Sequence, residues 1–187
     1  MRVSKFSVLL LLSVFAGTAM AQEQKSVEKL GKALFFDKNL SYNKNQSCAS
    51  CHGPEVGWTG PDEEVNKHGG VYEASIAGRF GNRKPPSAAY ATPAPKFGLA
   101  RKGDSEFVGG NFWDGRATGE KLGSAAADQA QGPFLNPLEQ ALPDAAELVR
   151  RVSASEYASL FKDVWGPKGV RRCGESVRIY RPVYRCF

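Results

Sequence analysis

The sequence predicts an all-α fold with long irregular loops. Near its start, Val27, Leu30, Leu34 and Phe35 recur at helical spacing and share one face. No segment alternates apolar and polar residues over a useful length, which disfavours a β-sheet. A CxxCH motif at residues 48–52 is the third observation, because this motif attaches a large covalent group around which loops can fold.

The predicted elements follow in chain order, beginning with a helix over residues 23–37. From Gly53 to Gly110, frequent glycine and proline predict loops. So long an irregular region disfavours a compact domain unless a cofactor supplies part of the core. Three later helices are predicted, the first over residues 117–131. The second begins at Pro143 and Asp144, and its apolar side consists of Ala146, Leu148, Val149 and Val152. The third is capped by Ser155, and its apolar residues at helical spacing are Tyr157, Leu160, Phe161 and Val164.

The first 21 residues have the pattern of a secretory signal peptide. Arg2 and Lys5 supply positive charge, residues 6–15 are apolar, and the small residues Ala19 and Ala21 predict cleavage after Ala21. A membrane anchor is the alternative, but spanning a bilayer takes about 20 apolar residues. We therefore predict that the chain is exported and then cleaved.

The formal net charge of +6 is unevenly distributed. Residues 22–167 carry 17 lysines and arginines against 18 acidic residues, whereas residues 168–187 carry six basic residues and one acidic residue. The body of the chain therefore lacks the basic surface that nucleic-acid binding requires.

The basic tail, residues 168–187, differs in patterning from the rest of the chain. It has no helical apolar stripe, and its Cys173 and Cys186 could pair in an oxidising compartment. Codons compatible with residues 173–187 encode an amphipathic helix in another reading frame, so we predict a frameshift between Gly166 and Cys173. The alternative is a genuine short protein whose tail docks on an acidic partner. Sequencing the DNA across this region decides between them.

The CxxCH motif carries the main functional signal. On one helical turn Cys48, Cys51 and His52 share a face, so two thiols can bond the vinyl groups of a haem while the imidazole binds its iron. Half of a zinc site is the alternative, but the chain has no further cysteine and histidine pair at zinc-binding spacing. We therefore predict one covalent haem c.

His68 is the other of the two histidines. It stands beside Gly69 and Gly70, and two interpretations are open from the residues alone. One is a solvated loop histidine, and the other is a sixth iron ligand on a mobile loop.

Five strings occur in this order between residues 30 and 140, within a resemblance that covers roughly residues 27–165: LGKALFFDKNLS, SCASCH, NRKPPSAAYATPAPKF, FWDGRATGEKL and DQAQGPFLNPLEQ. Together they resemble the bacterial di-haem cytochrome c peroxidase family, which includes the methylamine-utilisation haem protein. Members have two cytochrome c-like helical domains, and this chain resembles the N-terminal, peroxide-reducing one. The expected organisation is a signal peptide over 1–21, a haem domain over 22–167 and the aberrant tail.

The resemblance implies the haem ligands. Cys48 and Cys51 match the thioether cysteines, and His52 matches the proximal iron ligand. His68 matches the distal histidine, which in many members leaves the iron on activation and opens a site for peroxide.

The resemblance also implies a catalytic pair, Gln129 and Glu139. Glu139 would move a proton between the two peroxide oxygens, and Gln129 would orient the peroxide or a ligand water. From the residues alone, Glu139 after Pro137 is better explained as an acid at a helix N-terminus. Trp113 matches a tryptophan between the two haems, with an ordinary buried tryptophan as the alternative.

Three further positions have a counterpart in the family. Arg116 is expected to hydrogen-bond a haem propionate, and Asn82 is the nearest candidate ligand for the calcium ion that members hold between domains. Gln140 stands where members often have methionine, a difference that we expect to be tolerated.

The implied activity is reduction of hydrogen peroxide to water in the periplasm, with electrons from a small cytochrome or cupredoxin. A homodimer is compatible with the resemblance, and no membrane or nucleic-acid partner is expected. One alternative is a mono-haem electron carrier with His52 and His68 on the iron. Another is an inactive fragment that exposes apolar surface around Phe112 and Trp113.

Overall fold

The computed structural model describes residues 26–166, so the predicted signal peptide and the basic tail lie outside the described residues. The α-helices are α1 (26–36), α2 (Cys48–Cys51), α3 (Glu63–Lys67), α4 (Ala125–Ala130), α5 (Gly132–Leu135), α6 (Ala145–Ser153) and α7 (Ala158–Trp165). Short 3₁₀ helices lie at Lys38–Leu40, Pro54–Val56 and Ala88–Tyr90. Strands β1 (Gly98–Leu99) and β2 (Phe107–Val108) pair antiparallel. Helices and loops thus dominate, as the all-α prediction requires.

The apolar core is formed by helices from the two ends of the described chain. Its buried members are Leu30, Leu34, Leu40, Ala127, Phe134, Leu142, Leu148, Val152 and Phe161. Burying a side chain as large as Phe134 or Phe161 contributes about 1.5–3 kcal/mol. Within the described stretch 53–110, by contrast, the one buried apolar side chain is Ala74. That stretch has almost no apolar core of its own, as expected if a cofactor supplies it.

Helix α6 begins where the sequence predicts. Asp144 is its N-cap, since its side chain accepts a hydrogen bond from the Glu147 N–H at 2.8 Å. Leu148 and Val152 are buried as expected, whereas Ala146 is exposed. The apolar side of α6 is therefore narrower than predicted.

The predicted cap of the last helix is wrong. The Ser155 hydroxyl donates to the carbonyl oxygen of Val152 at 2.7 Å, so it closes the end of α6. Helix α7 begins three residues later, at Ala158, with Tyr157 as its N-cap and no side-chain cap bond.

The helix predicted over 117–131 is also shorter than expected, because its first half is a loop. Gly119 has a φ of +85°, which a right-handed helix excludes. The Asp128 carboxylate accepts three backbone N–H groups of this loop, from Gly119 at 2.8 Å, Lys121 at 3.2 Å and Leu122 at 2.8 Å. A side chain that satisfies backbone donors in this way competes with helix formation.

The loops predicted over 53–110 are present, with additions that periodicity did not reveal. Helix α3 is five residues long, and each strand of the β1–β2 hairpin has two residues. Among the described residues, no helix is both long enough and apolar enough to cross a membrane.

Candidate haem site

Helix α2 presents the two motif cysteines. Ser47 and Ser50 form a capping box at its start, which fixes this short helix directly before His52. Burial raises the pKa of both Cys48 and Cys51 to about 12, and the charge of Glu139 adds to the effect. Both thiols are therefore neutral.

The His52 imidazole is oriented by two backbone carbonyl oxygens. Its Nδ1 lies 2.9 Å from the oxygen of Pro86 and 3.2 Å from that of Trp58. Carbonyl oxygens only accept hydrogen bonds, so Nδ1 carries the proton and Nε2 keeps its lone pair. Burial lowers the pKa of His52, which favours the neutral imidazole. A neutral ring with a free Nε2 is the form that binds a metal.

A tight turn after the motif brings one of those carbonyl groups into place. The Gly53 N–H donates to the Thr59 oxygen at 2.7 Å, and the Trp58 N–H donates to the Gly53 oxygen at 2.8 Å. A Cβ on Gly53 would lie 2.7 Å from the Pro61 Cβ, so the turn requires glycine there. The glycine after the motif thus helps to place the Trp58 carbonyl group, one of the two that orient His52.

Glu139 lies in a turn beside the thiols and not at a helix N-terminus, so the helix-acid alternative is wrong. Its charge acts on Cys48 and Cys51, which indicates that its carboxyl group lies near their sulfurs. Burial raises its pKa, and a hydrogen bond from Asn136 together with the charge of Arg116 partly offsets that rise. A half-buried carboxyl group with a raised pKa is suited to proton transfer.

Asn136 is a site residue that the sequence reasoning missed. Its Nδ2 donates to Glu139 Oε1 at 2.7 Å. Its place in the string NPLEQ, three residues before Glu139, was the available signal. Gln129, the predicted partner of Glu139, is half-buried on α4, and among the described residues no hydrogen bond joins the two side chains.

Gln140 is buried without polar partners for its side chain. It is 2% exposed, and neither amide atom has a hydrogen-bond partner among the described residues. Its backbone is fixed on both sides, by the Pro133 oxygen at 3.1 Å and the Tyr42 N–H at 2.8 Å. The backbone is therefore held in place while the side-chain amide stays buried without a partner.

We expect Gln140→Met to raise the free energy of unfolding by about 1–2 kcal/mol, because it removes an unsatisfied buried amide of similar size. Urea denaturation of the haem-loaded chain measures the change. Gln131→Met is the matched control, since the Gln131 amide bonds Lys121 and the Ala127 carbonyl and should gain nothing. Equal stabilisation by both substitutions would contradict the explanation.

His68 lies on the surface, at the C-terminal end of α3. Its side chain is 74% exposed, and its Nδ1 lies 3.0 Å from the Glu64 carbonyl oxygen and 3.3 Å from Glu64 Oε1. Among the described residues no group of three histidines, cysteines or acids forms a metal site. The structure thus has His68 in the solvated position, and its role as an iron ligand stays a prediction.

Trp113 and Arg116 belong to an exposed surface. Trp113 is 74% exposed, so the buried-tryptophan alternative is wrong, and the Arg83 guanidinium lies 5.1 Å from its ring centroid. Arg116 pairs with Asp114 at 2.8 Å and lies 3.7 Å above the Phe112 ring. The predicted calcium ligand Asn82 is exposed, and its carbonyl oxygen accepts a hydrogen bond from Arg83.

The residues present fit a covalent haem c. Two neutral thiols stand three positions apart on α2, and the histidine that follows has its Nε2 free. The stretch 53–110 lacks a core, which a haem would supply. Cys48, Cys51, His52 and Glu139 are thus brought together, whereas His68, Trp113 and Asn82 are exposed.

Comparison with known proteins identifies the family. The sequence pattern described as "Di-haem cytochrome c peroxidase" matches residues 25–182. The chain belongs to this family. The match includes most of the basic tail, so the frameshift stays a prediction that the DNA sequence tests.

Individual members agree with this assignment. The chain is 36% identical over 174 residues to "Methylamine utilization protein MauG" of Paracoccus denitrificans, covering 91% of this chain and 42% of that protein. It is 32% identical over 150 residues to "Cytochrome c551 peroxidase" of Nitrosomonas europaea, covering 79% and 36%. The structure of the diheme peroxidase BthA from Burkholderia thailandensis matches with a TM-score of 0.68 and 30% identity, covering 86% and 36%. The fold is therefore all-α and cytochrome c-like, and the chain spans less than half the length of each relative.

Proposed function

We propose that this chain is the peroxide-reducing haem domain of a periplasmic cytochrome c peroxidase. It reduces hydrogen peroxide to two molecules of water, with two protons and two electrons from a small cytochrome or cupredoxin. The observation that carries the proposal is the half-buried carboxyl group of Glu139, whose pKa is raised and whose charge acts on both haem-bonding cysteines.

The haem would be held by three residues. Cys48 and Cys51 would form the thioether bonds, and His52 Nε2 would bind the iron while its Nδ1–H donates to the Pro86 carbonyl oxygen. When bound, the haem supplies the electron-transfer and peroxide-binding chemistry. Arg116 would contact a propionate, and His68 would occupy the sixth position in the resting protein.

Glu139 would transfer the proton. Its carboxylate accepts a proton from one peroxide oxygen and returns it to the other, so that the departing oxygen leaves as water. Asn136 holds the carboxylate through its 2.7 Å hydrogen bond, and Gln129 would orient the peroxide. Because burial raises the pKa of Glu139, the carboxyl group can both accept and return the proton.

Electrons would enter across an apolar surface around Trp113. Eight large apolar residues between positions 80 and 113 are exposed: Phe80, Tyr90, Phe97, Leu99, Phe107, Val108, Phe112 and Trp113. Of these, Phe97 and Phe107 stack with their ring centroids 5.3 Å apart, and exposed apolar side chains in contact are typical of an interface. We propose that a second haem unit, on another domain or subunit, covers this surface beside Trp113, and that Asn82 contributes to a calcium site there.

The test is to produce the chain with haem maturation, count its covalent haems and follow the reduced protein spectroscopically as hydrogen peroxide is added. We expect one covalent haem, a reduced form that binds carbon monoxide, and rapid oxidation by peroxide. A haem that is six-coordinate and inert in both redox states would instead identify an electron carrier. Aggregation of the haem-loaded chain would favour the inactive fragment.

A further inference from the structure

Ser75 lies where three segments of the site meet. Ser75 is 1% exposed. Its hydroxyl donates a hydrogen bond to Asn45 Oδ1 at 2.7 Å and accepts one from the Asn43 N–H at 2.9 Å. Its carbonyl oxygen accepts hydrogen bonds from Asn43 Nδ2 at 2.8 Å and from Asn45 Nδ2 at 3.1 Å. Its N–H donates to the Glu139 carbonyl oxygen at 2.8 Å. Every polar atom of this buried residue is therefore in use.

The asparagines belong to the segment that leads into α2 and the haem-bonding cysteines. In the same segment, Gln46 Nε2 donates to the Glu73 carbonyl oxygen at 2.8 Å and lies 3.8 Å from Cys51 Sγ. The short stretch 73–75 is thus bonded to the haem-attachment segment on one side. On its other side it is bonded to the backbone of Glu139.

We propose that Ser75 is a positioning residue that fixes the Glu139 carboxyl group relative to the haem. The inference rests on the proposed function, in which Glu139 faces the haem. Glu139 has no helix to hold it, because it lies in a turn. The Ser75 N–H therefore supplies a fixed point for its backbone, and the two asparagines hold Ser75 in register with α2. Loss of the hydroxyl leaves the Asn43 N–H and Asn45 Oδ1 without this partner, which loosens that register.

The measurement is the midpoint reduction potential of the covalently bound haem in the full chain. A nearby carboxylate favours ferric over ferrous haem, so Glu139→Gln should raise the potential. Ser75→Ala should raise it by a smaller amount, because the carboxyl group moves away from its fixed position. In the double variant, Ser75→Ala should not raise the potential beyond the value of Glu139→Gln alone, because the carboxylate charge whose position Ser75 fixes is then absent.

Ser153→Ala is the matched control. Ser153 is half-buried on α6, and its hydroxyl donates to the carbonyl oxygen of Val149 in the same helix at 2.7 Å, outside the segments that meet at Ser75. Its potential should equal that of the unchanged chain. If Ser75→Ala does not load haem, Asn45→Ala provides the second variant. It removes the acceptor of the Ser75 hydroxyl from an exposed position, and its shift should likewise disappear in the Glu139→Gln background.

The outcomes separate this inference from the proposed function. No shift in Ser75→Ala, or the same shift with and without the Glu139 charge, would overturn the positioning role. So would a potential that Glu139→Gln leaves unchanged. If Ser75→Ala shifts the potential only when the Glu139 charge is present, but the haem does not react with peroxide, the positioning role is supported and only the proposed function is contradicted.

Discussion

Glu139→Gln should lower the rate constant for reaction of the reduced haem with hydrogen peroxide by about 100-fold or more, at unchanged haem content. Glutamine keeps the shape of the side chain and can still contact the Asn136 amide, but it cannot carry a proton between the peroxide oxygens. Stopped-flow mixing of the reduced chain with peroxide measures the rate, and the haem spectrum reports content.

The pH profile of the same reaction should identify Glu139 as the group involved. The carboxylate form accepts the proton, so the rate falls as pH drops through the pKa of Glu139. Because burial raises that pKa above the ordinary value of 4.5, the fall should begin at higher pH than for a solvated carboxyl group. The glutamine variant should lack this limb of the profile.

Glu156→Gln controls for the loss of one negative charge, because Glu156 is exposed in the turn before α7. Its rate and its pH profile should match those of the unchanged chain. A rate for Glu139→Gln that stays within twofold of the unchanged chain, well below the usual contribution of an acid–base group, would remove Glu139 from the mechanism.

Local sequence signals predicted the parts of the fold that depend on neighbouring residues. The spacing of Cys48, Cys51 and His52 gave the haem-attachment turn, and Asp144 gave the start of α6. Helix boundaries failed where a side chain bonded backbone groups that precede it in the chain, which periodicity does not reveal. Asp128 holds the loop before α4 in this way, and Ser155 bonds the helix before it.

The orientation of the site depends on contacts that no local pattern contains. His52 is bonded to the oxygen of Pro86, 34 residues away, and Asn43 to Ser75, 32 residues away. The surroundings of Glu139 combine segments near residues 43, 75 and 136. Sequence patterning could therefore predict the haem ligands and the acidic residue, but not the contacts that orient them.

Arg151→Ala should lower the free energy of unfolding by about 2–4 kcal/mol, because it breaks a charge-assisted network that is mostly buried. The Arg151 side chain is 13% exposed. Its Nε contacts Glu147 Oε1 at 2.5 Å, and its Nη1 donates to the carbonyl oxygens of Asn39 at 2.8 Å and Ser41 at 2.5 Å. The residue thus joins α6 to the segment that leads to the haem-attachment turn.

Arg150→Ala is the matched control, because Arg150 is next in the chain and contacts the same carboxylate from a side chain that is 68% exposed. Its removal should change stability little, since solvent screens exposed pairs. Urea denaturation of the haem-loaded chain compares the two variants. Equal losses would show that the Glu147 pair, and not the bonds to the backbone, carries the stability.

Acid should separate the two contributions of Arg151. Hydrogen bonds from the guanidinium of Arg150 and then from that of Arg151 hold the pKa of Glu147 at about 2, below the ordinary value of 4.5. The stability from this lowered pKa is fully present above 4.5 and is lost as pH falls towards 2. The bonds to the carbonyl oxygens of Asn39 and Ser41 do not titrate. The loss of unfolding free energy caused by Arg151→Ala should therefore become smaller on acidification but not reach zero. If the loss disappears when Glu147 is protonated, the hydrogen bonds to the backbone contribute nothing to stability.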